Sequence, residues 1–151
     1  MNKAYYFKLT ISFENKWYRF LRILRFKHLA TESYGVLIGD KILDVLRLSK
    51  LMNVSIPSSV ERLVSLGLDG EKLLKGLIAN STHIKIEKAT VKRDEATLKA
   101  PITSPPKIIC LGLNYGDHAE EAGLKIPDEP LIFMKPRTSI VGPDEPIVKP
   151  S

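Results

Sequence analysis

The sequence predicts an α+β fold in two parts: a small N-terminal strand-and-helix domain, then the opening strands of a larger, incomplete β-rich domain. Three observations predict it. Short apolar or alternating runs bounded by Gly, Asn and Pro occur on both sides of the chain's middle. Two stretches with helical spacing and capping residues lie between them. A proline-bearing connector, APITSPPK at residues 100–107, separates the two parts near residue 100. The 151 residues, 44% hydrophobic and 26% charged, suffice for one ordinary core or two small ones in a globular protein.

Residues 1–20 are rich in aromatics, lysine and asparagine without a clean period, and are read as a basic, poorly ordered extension. The small domain then occupies 21–100. It opens with LRILRF, which alternates well enough for a strand. A basic amphipathic helix over 16–28, with Trp17, Phe20, Leu21 and Leu24 on one face, is the rival reading and would suit an anionic membrane. The strand is preferred because it leads directly into a hairpin. That hairpin joins the apolar runs 35–38 and 42–45 through Gly39-Asp40, with glycine first in a two-residue loop.

Two short helices follow. Ser58 or Ser59 caps the first, with Val60, Leu63 and Val64 inward, Glu61 placed for a capping box and Gly67 as the stop. Asp69 caps the second, whose face is Leu73, Leu74, Leu77 and Ile78 and whose end is Asn80. Residues 83–87 (HIKIE) alternate like a half-exposed strand. Beyond the connector, 108–113 reads as a short buried strand. Asp117 is the N-cap of a helix carrying Glu120 that Gly123 ends, and 131–134 is a second buried strand between Pro130 and Pro136. Pro143, Pro146 and Pro150 hold the remainder in loops and edge-like strands.

Charge narrows the function classes. The net +6 belongs entirely to residues 1–28, where seven basic side chains face Glu14 alone; residues 29–151 balance. A nucleic-acid reader concentrates positive charge on its folded module. Nucleic acid and anionic lipid are therefore left as targets of the N-terminal arm only, and no nucleic-acid or membrane partner is expected. No apolar run approaches the roughly 20 residues a bilayer requires, and the start lacks a secretory pattern. The single cysteine, Cys110, excludes an intrachain disulfide and a cysteine-based zinc site, and fits the reducing cytoplasm. Within IICLG it reads as a small buried hydrophobe.

Chemistry concentrates in IICLGLNYGDHAEE, 108–121, and in FMKPRTSIVGP, 133–143. His118 and Glu121 are three apart, so in a helix they share a face. A carboxylate there orients the imidazole, while the helix N-terminus disfavours its protonated form. The product is a neutral general base near pH 7. A surface Glu–His pair is the plain alternative. Lys135 ends an apolar strand before a proline, either as a solvated lysine or as a charge presented to a site. His28 and His83 have no partner at ligand spacing, and Gly112 and Gly116 form no phosphate loop.

Residues 107–150 resemble the opening catalytic segment of the fumarylacetoacetate hydrolase family. There a strand ending in G-x-N-Y leads to D-H-x-x-E, then F-x-K-P and a proline-punctuated loop. Residues 21–100 resemble, more loosely, that family's small N-terminal domain, through ILRF and YGVLIGDKILDV. The resemblance implies hydrolysis, decarboxylation or isomerisation of acylpyruvate or other 1,3-dicarbonyl keto acids. It implies His118 as base, Glu121 as its partner, Lys135 as a positive charge, and Asn114 and Tyr115 at the substrate. It also implies a homodimer and a divalent cation: magnesium, or manganese or calcium, acting as Lewis acid. The family's carboxylate ligands, a Glu-x-Glu pair and a later aspartate, fall beyond Ser151. The chain is thus expected to be a truncated part that binds magnesium poorly and is inactive alone. An alternative is a catalytically silent module that folds and associates with a partner. Incompleteness would expose β edges and favour self-association.

Overall fold

Strand β2 (Phe20–His28) organises the first part of the molecule: Leu21 and Ile23 point to one side, Leu24 and Phe26 to the other, and all four are buried. The computed structural model describes residues 7–10 and 20–149 other than 122, 126 and 127; the side chains of 7–10, 20 and His118 lie outside what is described. The expectation for residues 1–20 therefore falls, apart from strand β1 (Phe7–Thr10), outside the described residues. The fold is α+β.

On one edge β2 pairs antiparallel with β3 (Thr31–Ile38); on the other it pairs with β1 and with β6 (Thr97–Lys99). Strands β4 (Lys41–Asp44) and β5 (Thr90–Lys92) extend the sheet beyond β3. The end strands β5 and β6 are joined by a single 3-10 turn at Arg93–Glu95 and Ala96. The sheet must therefore curl, enclosing Leu24, Phe26, Ile42, Val91 and Leu98 as a small core on its inner face. Gly39, at φ +60, makes the expected turn between β3 and β4, a backbone region open to glycine at little cost. The turn between β2 and β3 carries no such signal: Leu29 adopts φ +54 while 84% exposed.

Four helices cover the other face: α1 (Val45–Met52), α2 (Val60–Ser65), α3 (Leu68–Ala79) and α4 (His83–Lys88). Leu21, Ile23, Tyr34 and Val36 from the sheet meet Leu48, Leu63, Leu74 and Leu77 there. Several expectations are corrected. The run 42–45 does not stay extended, because the Asp44 carboxylate accepts from the Arg47 amide at 3.0 Å and starts α1 at Val45. Ser59, not Ser58, caps α2, so Glu61 is displaced from the capping-box position. Gly67, at φ +57, ends α2 as expected and also precedes α3, whose first turn holds Asp69 inside it and not as its cap. Residues 83–87 are helical, because the Thr82 hydroxyl caps α4 and only Ile86 reaches the core, leaving Ile84 exposed. Local capping outweighed a two-residue alternation.

Contacts divide the chain into two compact units, Met1–Ile102 with Val141–Ser151, and Thr103–Ile140. The second unit is an antiparallel ribbon of β7 (Ile108–Gly112) and β8 (Leu131–Lys135), linked through α5 (Gly116–Glu121) and followed by a 3-10 turn at Arg137–Ser139. The strands form as expected but are not buried. Ile109, Leu111, Ile132 and Met134 are exposed, and Cys110 is half-buried rather than enclosed. A two-stranded ribbon has too little of itself to cover its own apolar side chains. Among the described residues no helix is long and apolar enough to cross a membrane.

Candidate active site

Register decides how the motif residues are arranged. In the ribbon Gly112 stands opposite Leu131 and Ile108 opposite Lys135. Gly112, two residues before Asn114, and Lys135 therefore stand at opposite ends of the ribbon, about 14 Å apart at about 3.4 Å per residue. Gly112 lies tightly against its partner: a Cβ there would come 2.9 Å from the Leu131 side chain. Leu113 then takes a left-handed backbone, φ +49, and turns the chain out of β7 towards Asn114.

Asn114 and Tyr115 are exposed, and the Tyr115 carbonyl accepts from the Ala119 amide at 3.2 Å as α5 begins. Helix α5 starts at Gly116, so Asp117 is its first-turn acid and not the residue before it. Ala119 is fully buried, which fixes the face of α5 that packs. The helix closes at Gly123, where the Leu124 amide reaches the Ala119 carbonyl at 2.9 Å and the Gly123 amide reaches Glu120 at 3.0 Å. His118 occupies the third position of this helix and Glu121 the last, with the Glu121 side chain exposed. Lys135 is also exposed, its ammonium 5.9 Å from the Phe133 ring.

Magnesium prefers a set of oxygen ligands. Among the described residues no three His, Cys, Asp or Glu side chains gather as such a set. The Asp128 carboxylate lies 3.7 Å from the Lys125 ammonium, and Glu145 is taken by Lys99 and the Gly142 amide. These residues do not by themselves form a site for the ion.

Two polar groups with defined partners escaped the reading of motifs. Tyr34, 2% exposed, donates its hydroxyl to the Pro57 carbonyl at 2.6 Å, and burial, assisted by the Asp44 charge, pushes its phenol up to about 12. Glu145 is held below the usual carboxylate range, first by its hydrogen bond from Lys99 and then by the Gly142 amide. A lone tyrosine in a strand gives no sequence signal for such a bond. The Gly-x-x-Glu spacing of 142–145 is a weak sign of a turn.

A strand, a left-handed turn into a short helix, and a returning strand with a terminal lysine make up this segment of the α+β chain. Comparison with known proteins gives it a family. The family described as fumarylacetoacetate (FAA) hydrolase, C-terminal, matches residues 107–151. The mitochondrial oxaloacetate tautomerase fahd2 of Xenopus laevis is 38% identical over 109 residues, 72% of this chain and 31% of that protein. Fumarylacetoacetate hydrolase domain-containing protein 2 homolog of Dictyostelium discoideum is 38% identical over 117 residues, 77% of this chain and 35% of that protein. A crystal structure of an HpcE-type protein from Mycobacterium smegmatis superposes with a TM-score of 0.60 at 26% identity, over 85% of this chain and 41% of that one. Over the part it contains, this chain belongs to the fumarylacetoacetate hydrolase family. It spans about a third of the length of the curated relatives it matches.

Proposed function

We propose that this chain carries the base-bearing side of a fumarylacetoacetate hydrolase-type enzyme acting on small keto acids. Keto–enol tautomerisation of an oxaloacetate-like acid is the reaction favoured by the names of its relatives. The observation that carries the reading is the family match over 107–151, falling on the segment whose fold sets Asn114, Tyr115, His118 and Glu121 on one turn and helix. Neutral His118 takes a proton from the carbon next to the carbonyl and returns it on the reverse path, with Glu121 steadying the imidazolium. Asn114 and Tyr115 bind substrate. Lys135 lies at the far end of the ribbon from Gly112, and a substrate that meets both it and the Asn114–Tyr115 turn would bridge that length. Hydrolysis or decarboxylation of acylpyruvates on the same base is the sister chemistry.

Magnesium, or manganese or calcium, would have to be held by ligands from outside the described residues, and would there offer positive charge to the substrate's oxygens. A homodimer is part of the same proposal. The compartment is a reducing one: the cytoplasm by cysteine usage, or the mitochondrion by the names of the animal relatives. Fractionation against markers of each separates them.

The test replaces the matching segment of the Xenopus laevis relative with residues 107–149 and follows oxaloacetate tautomerisation with and without magnesium. His118→Ala is expected to lower the rate about 100-fold or more; full activity in that variant would remove the assigned base. A second reading, a silent module that folds and associates, is favoured by the exposed apolar ribbon. Micromolar magnesium binding to residues 1–151 in isothermal titration would contradict a silent module, and loss of activity in the His118→Ala form of the chimaera would argue against it too.

A further inference from the structure

After the motif-bearing unit the chain returns to the first unit at Val141. Little apolar contact holds it there: Val141, Ile147 and Val148 are exposed, and residues 141–149 form neither helix nor strand. Charge supplies the attachment. One oxygen of Glu145 receives the Lys99 ammonium at 2.8 Å, and the other accepts from the Gly142 amide at 2.7 Å. A Cβ at 142 would lie 2.9 Å from the Glu145 carboxyl carbon, so any side chain there would push the carboxylate aside. Lys99 ends β6, just before the chain leaves the first unit after Ile102. Arg25, opposite Lys99 in the sheet, adds positive charge towards Glu145 and is itself paired with Glu32.

We propose that Lys99 and Glu145 form an ionic clasp tying together the departure and return points of unit 103–140, so that charge, and not apolar packing, anchors residues 141–149. The clasp is a conformational device independent of the reaction proposed above. Screening weakens exposed ion pairs, so salt opens it while the sheet beneath stays intact.

Amide hydrogen exchange on the full chain tests this. Glu145→Ala is expected to speed exchange at Gly142 and Glu145 about three- to tenfold, the range of a modest surface pair plus one amide bond. Val36 and Leu43, inside the sheet, keep their wild-type rates. Glu145→Gln retains an acceptor for Gly142 but no charge, and should have a smaller effect at Gly142; raising salt to about 0.5 M should speed the wild type but not Glu145→Ala. Wild-type exchange at Gly142 and Glu145 in Glu145→Ala overturns the clasp. So does acceleration that spreads equally to Val36 and Leu43, which would mean that the variant merely unfolds.

Discussion

Replacing Tyr34 by phenylalanine isolates one buried hydroxyl whose contribution can be worked from the structure. The Tyr34 hydroxyl donates at 2.6 Å to the Pro57 carbonyl, tying the loop between α1 and α2 to β3. Removing the donor while keeping the ring loses that bond and leaves the carbonyl short of a partner, about 1–2 kcal/mol, or roughly 3–8 °C in melting temperature for a unit of this size. The pH dependence is the sharper signature. The phenol titrates near 10 when unfolded and is pushed up to about 12 when folded, by burial first and the Asp44 charge second. Its contribution is therefore full below pH 10 and is lost as pH rises from 10 towards 12, amounting to about 2–3 kcal/mol at 1.36 kcal/mol per unit. Urea unfolding followed by circular dichroism at pH 7, 10 and 11.5 measures both effects. Tyr34→Phe should be less stable at pH 7 yet lose less stability between pH 10 and 11.5 than the wild type does. Equal stability at pH 7 together with parallel alkaline slopes would refute the reasoning, since lysines and the other tyrosines titrate alike in both proteins.

Two further outcomes follow from backbone and surface. Leu29→Asn should raise stability by about 0.5–1 kcal/mol, because Leu29 holds φ +54 while 84% exposed and asparagine tolerates that region better; a lower denaturation midpoint would show that the leucine packs usefully. Ile132→Lys should reduce concentration-dependent association in sedimentation velocity, because Ile132 lies 64% exposed on the ribbon. Unchanged association would place the sticky surface elsewhere.

Some of the fold was legible locally. The strand at LRILRF, the Gly39 turn and the stop at Asn80 each rest on interactions within a few residues, which periodicity and turn chemistry report. Residues 83–87 misled because two isoleucines two apart fit a strand, whereas the Thr82 cap and the packing of Ile86 needed the helical layer to be in place. Strands β5 and β6 were invisible in a charged stretch of three-residue segments, each ordered only by pairing with β4 or β2. In the candidate site the residue types and their spacing were legible, but burial was not: 108–113 and 131–134 read as enclosed, and the ribbon leaves much of them in solvent.

By itself the sequence determined which groups are on offer, a histidine, a glutamate three residues on and a lysine at a strand end, together with the family likeness. Those are properties of residue identity and short spacing, which a linear pattern carries whole. Tertiary structure alone decided that antiparallel register sets Lys135 at the opposite end of the ribbon from Gly112. It alone turned Glu145 towards Lys99, 46 residues away, and gave Tyr34 the Pro57 carbonyl. Such pairings depend on which distant segments come to lie side by side, and no local period records that.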